Sequence, residues 1–321
     1  MTTAEMHNNL LSALEKKVPD KSKLVEILMD TLHIEKGAVY RRLRGDVPFT
    51  FYEVVIIAKR LEISLNNFMY TDSVRKGRFE LTFLEYMNMN EMEYKRWEDL
   101  IAFFGTAKND PHSEIADSSN MLPICIYTRY DSLIKYYLFK YEYLLHGLEN
   151  RITYSELQVP DRLNSIFRSY AEAFKNFAST TFILDYMVFQ YLITDLRYFS
   201  DIHLITTDDL QQIKNDLFSL LNDFESIALT GCFETTENRV SIYISDVNLD
   251  STYICTQIKN IYVGLVRTFI LNTVESFDQS SFRKIKEWIQ SQTKSSTLIT
   301  QSGAAYRADF FEKQRQLITE L

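Results

Sequence analysis

The sequence predicts a mainly α-helical protein with a small α+β portion. Five short helices open the chain, and a larger helical body follows, carrying a three-stranded antiparallel sheet. Three observations predict this. Only 8 Gly and 5 Pro occur among 321 residues, too few to turn the many short strands of a sandwich. Apolar residues recur three and four apart through most of the chain, the period of a helix with one buried face. That period gives way to strict alternation near Val240, the mark of a half-buried strand. At 46% hydrophobic and 24% charged residues the chain is ordinary globular material, which excludes disorder throughout and collagen-like classes. Its length suits about two domains.

The first 70 residues form one domain. Met6, Leu10, Leu11 and Leu14 make an apolar stripe that Pro19 and Asp20 interrupt. Ser22 is placed to cap a second helix, with Leu24, Ile27, Leu28 and Leu32 on its inner face. Three residues, His33, Ile34 and Glu35, lead into a third helix from Lys36 to Arg44. Gly45 stands where a left-handed C-cap belongs, and Pro48 keeps the helix from resuming. Thr50 caps a fourth helix that contains Val54, Val55, Ile57, Ala58 and Leu61. Ser64 caps a fifth with Leu65 and Phe68.

Two helices joined by so short a connection cross steeply, which leaves the second exposed along one side, as a rod offered to a DNA groove. Val39 and Leu43 hold that rod down. Leu28, Leu32, Ile34, Val39, Gly45, the run Ala58-Lys59-Arg60-Leu61 and Ile63-Ser64-Leu65 together resemble the lambda repressor and Cro type of helix-turn-helix, the XRE-like family. The resemblance covers the first 70 residues and nothing after them. The chain departs from that pattern in having His33 where Gly is usual, and Arg42 in the usual slot of the second apolar anchor.

The resemblance implies a lambda-repressor-like DNA-binding domain with the helix 36–44 in the major groove. Lys36 and Arg41 then stand where base edges are read, Arg by gripping guanine O6 and N7. Tyr40 touches a thymine methyl or a phosphate. Arg44, Lys59 and Arg60 suit phosphate contacts, which position without specifying. Glu35 either accepts from cytosine N4 or only favours the helix dipole. Gly37 and Ala38 permit close backbone approach or merely fill the helix. Which of Arg41, Arg42 and Arg44 faces the bases stays open.

Residues 71–78 read as a polar linker with Gly77 as its hinge, and 79–321 as an aromatic-rich α+β domain for dimerisation or sensing. Trp97, Leu100, Ile101 and Phe104 mark one helical face, and Asn109-Asp110-Pro111 ends it. A long helix over 122–148 is crowded with tyrosines on several faces, as a core helix whose hydroxyls reach polar partners would be. Helices follow over 161–178, 182–199 and 208–228, the last capped at Thr206 or Thr207. Strands are expected over 240–245, 250–258 and 261–273 as an antiparallel meander, then helices over 280–290 and 304–318. Ser302 and Gly303, opening the last helix with Arg307 one turn on, form a candidate anion site, although a capped helix with a surface Arg explains them as well.

Charge divides the same way. Residues 1–78 hold 13 Lys and Arg against 10 Asp and Glu, a net of +3, so the other 243 carry −11 of the total −8. Cys125, Cys232 and Cys255 stand far apart, with no disulfide framework or metal ribbon among them, and suit a reducing compartment. The N-terminus lacks the apolar core of a signal peptide, and no run approaches the roughly 18 apolar residues of a membrane span. The five His show no ligand spacing, and no Walker, GxSxG or GxGxxG pattern occurs. The expectation is a cytoplasmic, sequence-specific transcriptional regulator. It is not an enzyme and needs no cofactor or metal; its partners are double-stranded DNA, a second copy of itself and an effector, and it stays off membranes. Two alternatives stand beside it: a helix-turn-helix turned to protein docking, and an enzyme body with a DNA-addressed head.

Overall fold

A computed structural model describes residues 3–61, 63, 79–147 and 152–321. The chain divides into two compact units, residues 1–76 and 77–321. The predicted fifth helix and the linker 71–78 lie outside the described residues.

The first unit holds four described helices: α1 (Thr3–Lys17), α2 (Lys21–Leu32), α3 (Lys36–Leu43) and α4 (Phe51–Leu61). Leu10, Leu14, Leu24, Val25, Leu28, Val39, Ile57, Ala58 and Leu61 form its core. Each helix places its apolar residues on one stripe, and the stripes converge. The cap of α2 differs from the expected one. Asp20, not Ser22, accepts from the freed backbone N–H groups, those of Ser22 at 2.8 Å and Lys23 at 3.2 Å. An ionised acceptor at a helix N-terminus also meets the positive end of the dipole.

The second unit corrects the predicted fold class. It is built on one mixed sheet of eight strands, not a small three-stranded meander, and most of the helix in the chain surrounds that sheet. The strands are β1 (Glu80–Thr82), β2 (Glu114–Ser119), β3 (Ser179–Asp185), β4 (Arg239–Ser245), β5 (Tyr253–Ile258), β6 (Ile261–Thr268), β7 (Asn272–Ser276) and β8 (Ser296–Leu298). Their order is β1-β7-β6-β5-β2-β3-β4-β8. β2, β3 and β4 run parallel, and every other pairing is antiparallel.

The helices are α5 (Glu91–Gly105), α6 (Asp131–His146), α7 (Asp161–Phe174), α8 (Val188–Asp201), α9 (Thr207–Thr230), α10 (Gln279–Gln292) and α11 (Ala304–Thr319). Parallel neighbours need long crossovers. α6 and α7 lie between β2 and β3 in the chain, and α8 and α9 between β3 and β4. Alternate side chains of the sheet divide between two cores. Ile115, Phe182, Leu184, Ile242 and Ile254 join the large aromatic core with α5 to α9. Ile183 and Cys255 face the opposite way, toward Phe282, Ile285 and Ile289 of α10. The approach of α10 is close enough that a Cβ at Gly264 would fall 2.8 Å from Ile285 Cδ1.

Three predicted boundaries move with the sheet. The predicted helix 182–199 begins as β3, and its helical part is α8. A continuous apolar run does not by its period distinguish a buried strand from a buried helix. The single run 261–273 is two strands hinged at a tight turn, where Phe269 (φ 44°) and Ile270 (φ 68°) take left-handed backbone. The predicted helix 122–148 is one helical turn at Ile124–Tyr127 followed by α6. Its tyrosines belong to the core: Tyr141 donates its hydroxyl hydrogen to the Leu84 carbonyl at 2.7 Å, whereas the buried Tyr136 hydroxyl finds no partner among the described residues.

Candidate nucleic-acid interface

α2 ends at His33, whose backbone lies in the left-handed region (φ 53°, ψ 43°). A non-glycine residue there is uncommon, and the turn it makes delivers the chain to α3 after only Ile34 and Glu35. Glu35 is the extended N-cap and makes no side-chain cap hydrogen bond. α3 has 8 residues, too few for an isolated helix to persist in water, so its anchors decide whether it forms. Val39 is fully buried, and Leu43 packs half-buried beside it. At the far end Gly45 (φ 80°) donates its N–H to the Arg42 carbonyl, and the Asp46 N–H returns to Arg41.

A further anchor is ionic. Arg42 turns inward against α4, where its Nε and Nη2 lie 3.0 and 2.7 Å from Glu53 Oε1. Glu53 Oε2 accepts the Thr50 N–H at 2.8 Å, and Thr50 Oγ1 accepts the Glu53 N–H at 3.2 Å. One carboxylate thus closes the capping box of α4 and grips the last turn of α3. Burial raises the Glu53 carboxyl, but hydrogen bonds from Arg42 and Thr50 outweigh it and hold the group below its ordinary value. The apolar slot that Arg42 occupies in the sequence is therefore filled by a paired guanidinium.

This sets an acid sensitivity. A folded pKa depressed below that of the unfolded chain gives stability that is complete above the unfolded value, about 4.3. That stability is lost as pH falls through the folded value. Hydrogen exchange at the Val39 and Ile57 amides, corrected for intrinsic rates, is expected to show protection falling below about pH 4. Glu53→Gln should flatten that fall. Equal acid sensitivity in the variant would assign it to another carboxylate.

With Arg42 drawn inward, the outward face of α3 comprises Lys36, Gly37, Tyr40 and Arg41, all exposed. Ala38 is half-buried and Glu35 exposed. Arg44 is exposed but engaged, its Nε and Nη2 at 3.0 and 2.9 Å from Asp46 Oδ2. Lys59 and Arg60 stand exposed on the last turn of α4. Among the described residues, Lys36, Arg41, Lys59 and Arg60 make no ion pair. Sequence reasoning missed Phe51 and Tyr52 on the first turn of α4, which are 80% and 73% exposed. It also missed the role of Glu53, although the spacing Thr50 to Glu53 is that of a capping box.

The residues of the candidate anion site meet at the start of α11, but Arg307 is spent on carbonyls. Its Nη1 donates to Ile299 at 2.8 Å and to Ser302 at 3.0 Å. Gly303 (φ 63°) is required there, because a Cβ would fall 2.8 Å from the Leu298 carbonyl oxygen. Among the described residues no group of His, Cys, Asp and Glu is arranged to hold a metal ion, and no helix is long and apolar enough to cross a membrane. Comparison of the chain with protein-family models, curated proteins and solved structures returns no match.

Proposed function

We propose that this chain is a sequence-specific DNA-binding transcriptional regulator of the cytoplasm. In this reading α3 enters the major groove and the body pairs two copies or senses an effector. One observation carries it: a short helix, pinned from below by Val39 and by the Arg42–Glu53 pair, presents Lys36, Gly37, Tyr40 and Arg41 outward, and Lys36 and Arg41 make no ion pair among the described residues. Unpaired cations on a rod of this width suit a groove lined by phosphates and base edges. Two such heads one helical turn apart would lengthen the site, so an isologous dimer is the matching assembly.

Selection of the full chain against a randomised duplex library tests the reading. The expected result is an enriched motif with two related halves. Affinity should fall with log salt at a slope near −0.9 for each phosphate neutralised. Lys59→Ala should weaken the selected and a scrambled duplex alike, by about 1 kcal/mol or less, and lower the salt slope by about 1. Absence of any enriched motif would end the proposal.

One observation favours a second reading. Phe51 and Tyr52 form an exposed aromatic pair on the head, and aromatic residues are enriched where proteins dock. A docking module that does not use DNA would show no such slope on duplex DNA, so the same titration separates the two.

A further inference from the structure

In open sheets with parallel strands, ligands bind beyond the carboxyl ends of those strands. In this body, β3 ends at Asp185 and β4 at Ser245, and the next residues, Tyr186 and Asp246, face α11 across a cleft of about 200 Å³. Its remaining lining comes from the first three turns of α11: Tyr306, Asp309, Phe310, Lys313 and Gln314. Three rings and two carboxylates thus share one small space. The carboxylates are held in place. Asp246 Oδ1 accepts from the Tyr306 hydroxyl at 3.1 Å, and its Oδ2 lies 3.4 Å from Thr297 Oγ1. Lys313 already neutralises Asp309 at 2.8 Å, which leaves Asp246 as the uncompensated charge.

An independent feature points to a ligand. Gln314 lies in the wall of the cleft, is only 4% exposed, and its amide oxygen has no hydrogen-bond donor. A buried acceptor left unmet costs about 1–3 kcal/mol, and such groups are rare in folded proteins. Among the described residues the Asp246 carboxylate is left without a counter-charge and the Gln314 amide oxygen without a hydrogen bond, and both therefore call for a donor. Aromatic faces together with a carboxylate select a positively charged donor, through cation–π attraction and charge pairing. An anion would meet Asp246 and Asp309, and the single cation present is already paired. The volume lies below the roughly 300–1,000 Å³ of a drug-sized site, so the occupant is compact.

We propose that this cleft binds a small organic cation, an alkylammonium group whose N–H donors meet Asp246 and Gln314 and whose carbon chain lies among Tyr186, Tyr306 and Phe310. The site belongs to the body and does not depend on how the head is used. It sits at the ends of two interior strands of the sheet, β3 and β4, against α11.

Calorimetric titration of the full chain with n-butylammonium chloride is the test, with sodium butyrate and n-butanol as probes of the same length but different charge. The expected result is saturable binding of one butylammonium per chain and no saturable heat from the other two. Asp246→Asn and Tyr186→Ala should each weaken binding at least tenfold, and Gln314→Leu at least threefold. Circular dichroism confirms that each variant is folded. Asp309→Asn, at an exposed position, is the variant to use if the Asp246 change disturbs the fold, because it frees Lys313 to repel the probe and should also weaken binding tenfold. No binding of butylammonium, equal binding of butyrate or butanol, or unchanged affinity in the folded variants would overturn the proposal.

Discussion

Asp117→Ala is expected to cost the body about 1–3 kcal/mol, because it removes a buried carboxyl whose charge offsets that of the buried Arg267 and whose oxygen accepts from the Ser119 hydroxyl. Asp117 lies on β2 and Arg267 on β6, both buried on the aromatic side of the sheet. Burial raises the Asp117 carboxyl, while the Arg267 charge and a hydrogen bond from the Ser119 hydroxyl pull it back. Arg267 is the less satisfied partner, since its Nε and Nη1 find no acceptor. The two changes are therefore unequal. In Arg267→Met the abandoned carboxyl can take up a proton and become neutral, whereas in Asp117→Ala the guanidinium stays charged at any accessible pH. Denaturant unfolding of the body should show Asp117→Ala as much the more damaging change. The double variant Asp117→Ala with Arg267→Met should recover most of the loss. If the two single variants cost the same, Arg267 is satisfied by solvent and the argument fails.

The second large effect falls on the head. If α3 lies in the major groove, Arg41→Ala should weaken the selected duplex by about 1–3 kcal/mol and flatten base preference at one position of each half-site. Arg42→Ala should act differently. It breaks the contact with Glu53 that seats α3, so it should lower affinity for every duplex without changing which bases are preferred. Because the two groups work as a pair, Arg42→Ala and Glu53→Gln should combine to less than the sum of their separate effects. Competition binding against single-base variants of the selected site measures both outcomes. Base preference that follows Arg42 rather than Arg41 would mean that α3 turns over on binding.

Local structure was legible where the controlling interactions lie within a few residues. α2, α3 and α4 were placed by apolar stripes, by the short connection at His33–Glu35 and by Gly45, each of which acts inside one turn of chain. Arg42 was not legible. The sequence put a charged residue in an apolar slot and left three arginines as equal candidates for the groove, because the partner that decides between them lies 11 positions away in the chain. The body was legible in its helices and only partly in its strands. β2 carries Asp117, Ser118 and Ser119 in buried positions, so no alternation marks it, and β3 reads as apolar on both faces because both are covered.

The sequence alone therefore determined the helical head, its exposed cationic helix and the change of charge from head to body, since composition and short-range periodicity carry those. Tertiary structure alone decided that the body is an eight-stranded mixed sheet, that Arg42 is a clamp while Arg41 is exposed, and that Tyr186, Asp246 and Gln314 line one cleft. The physical reason is distance along the chain. Parallel strands pair only after a crossover of many residues, and the chemistry at their ends is assembled from segments that share no local signal.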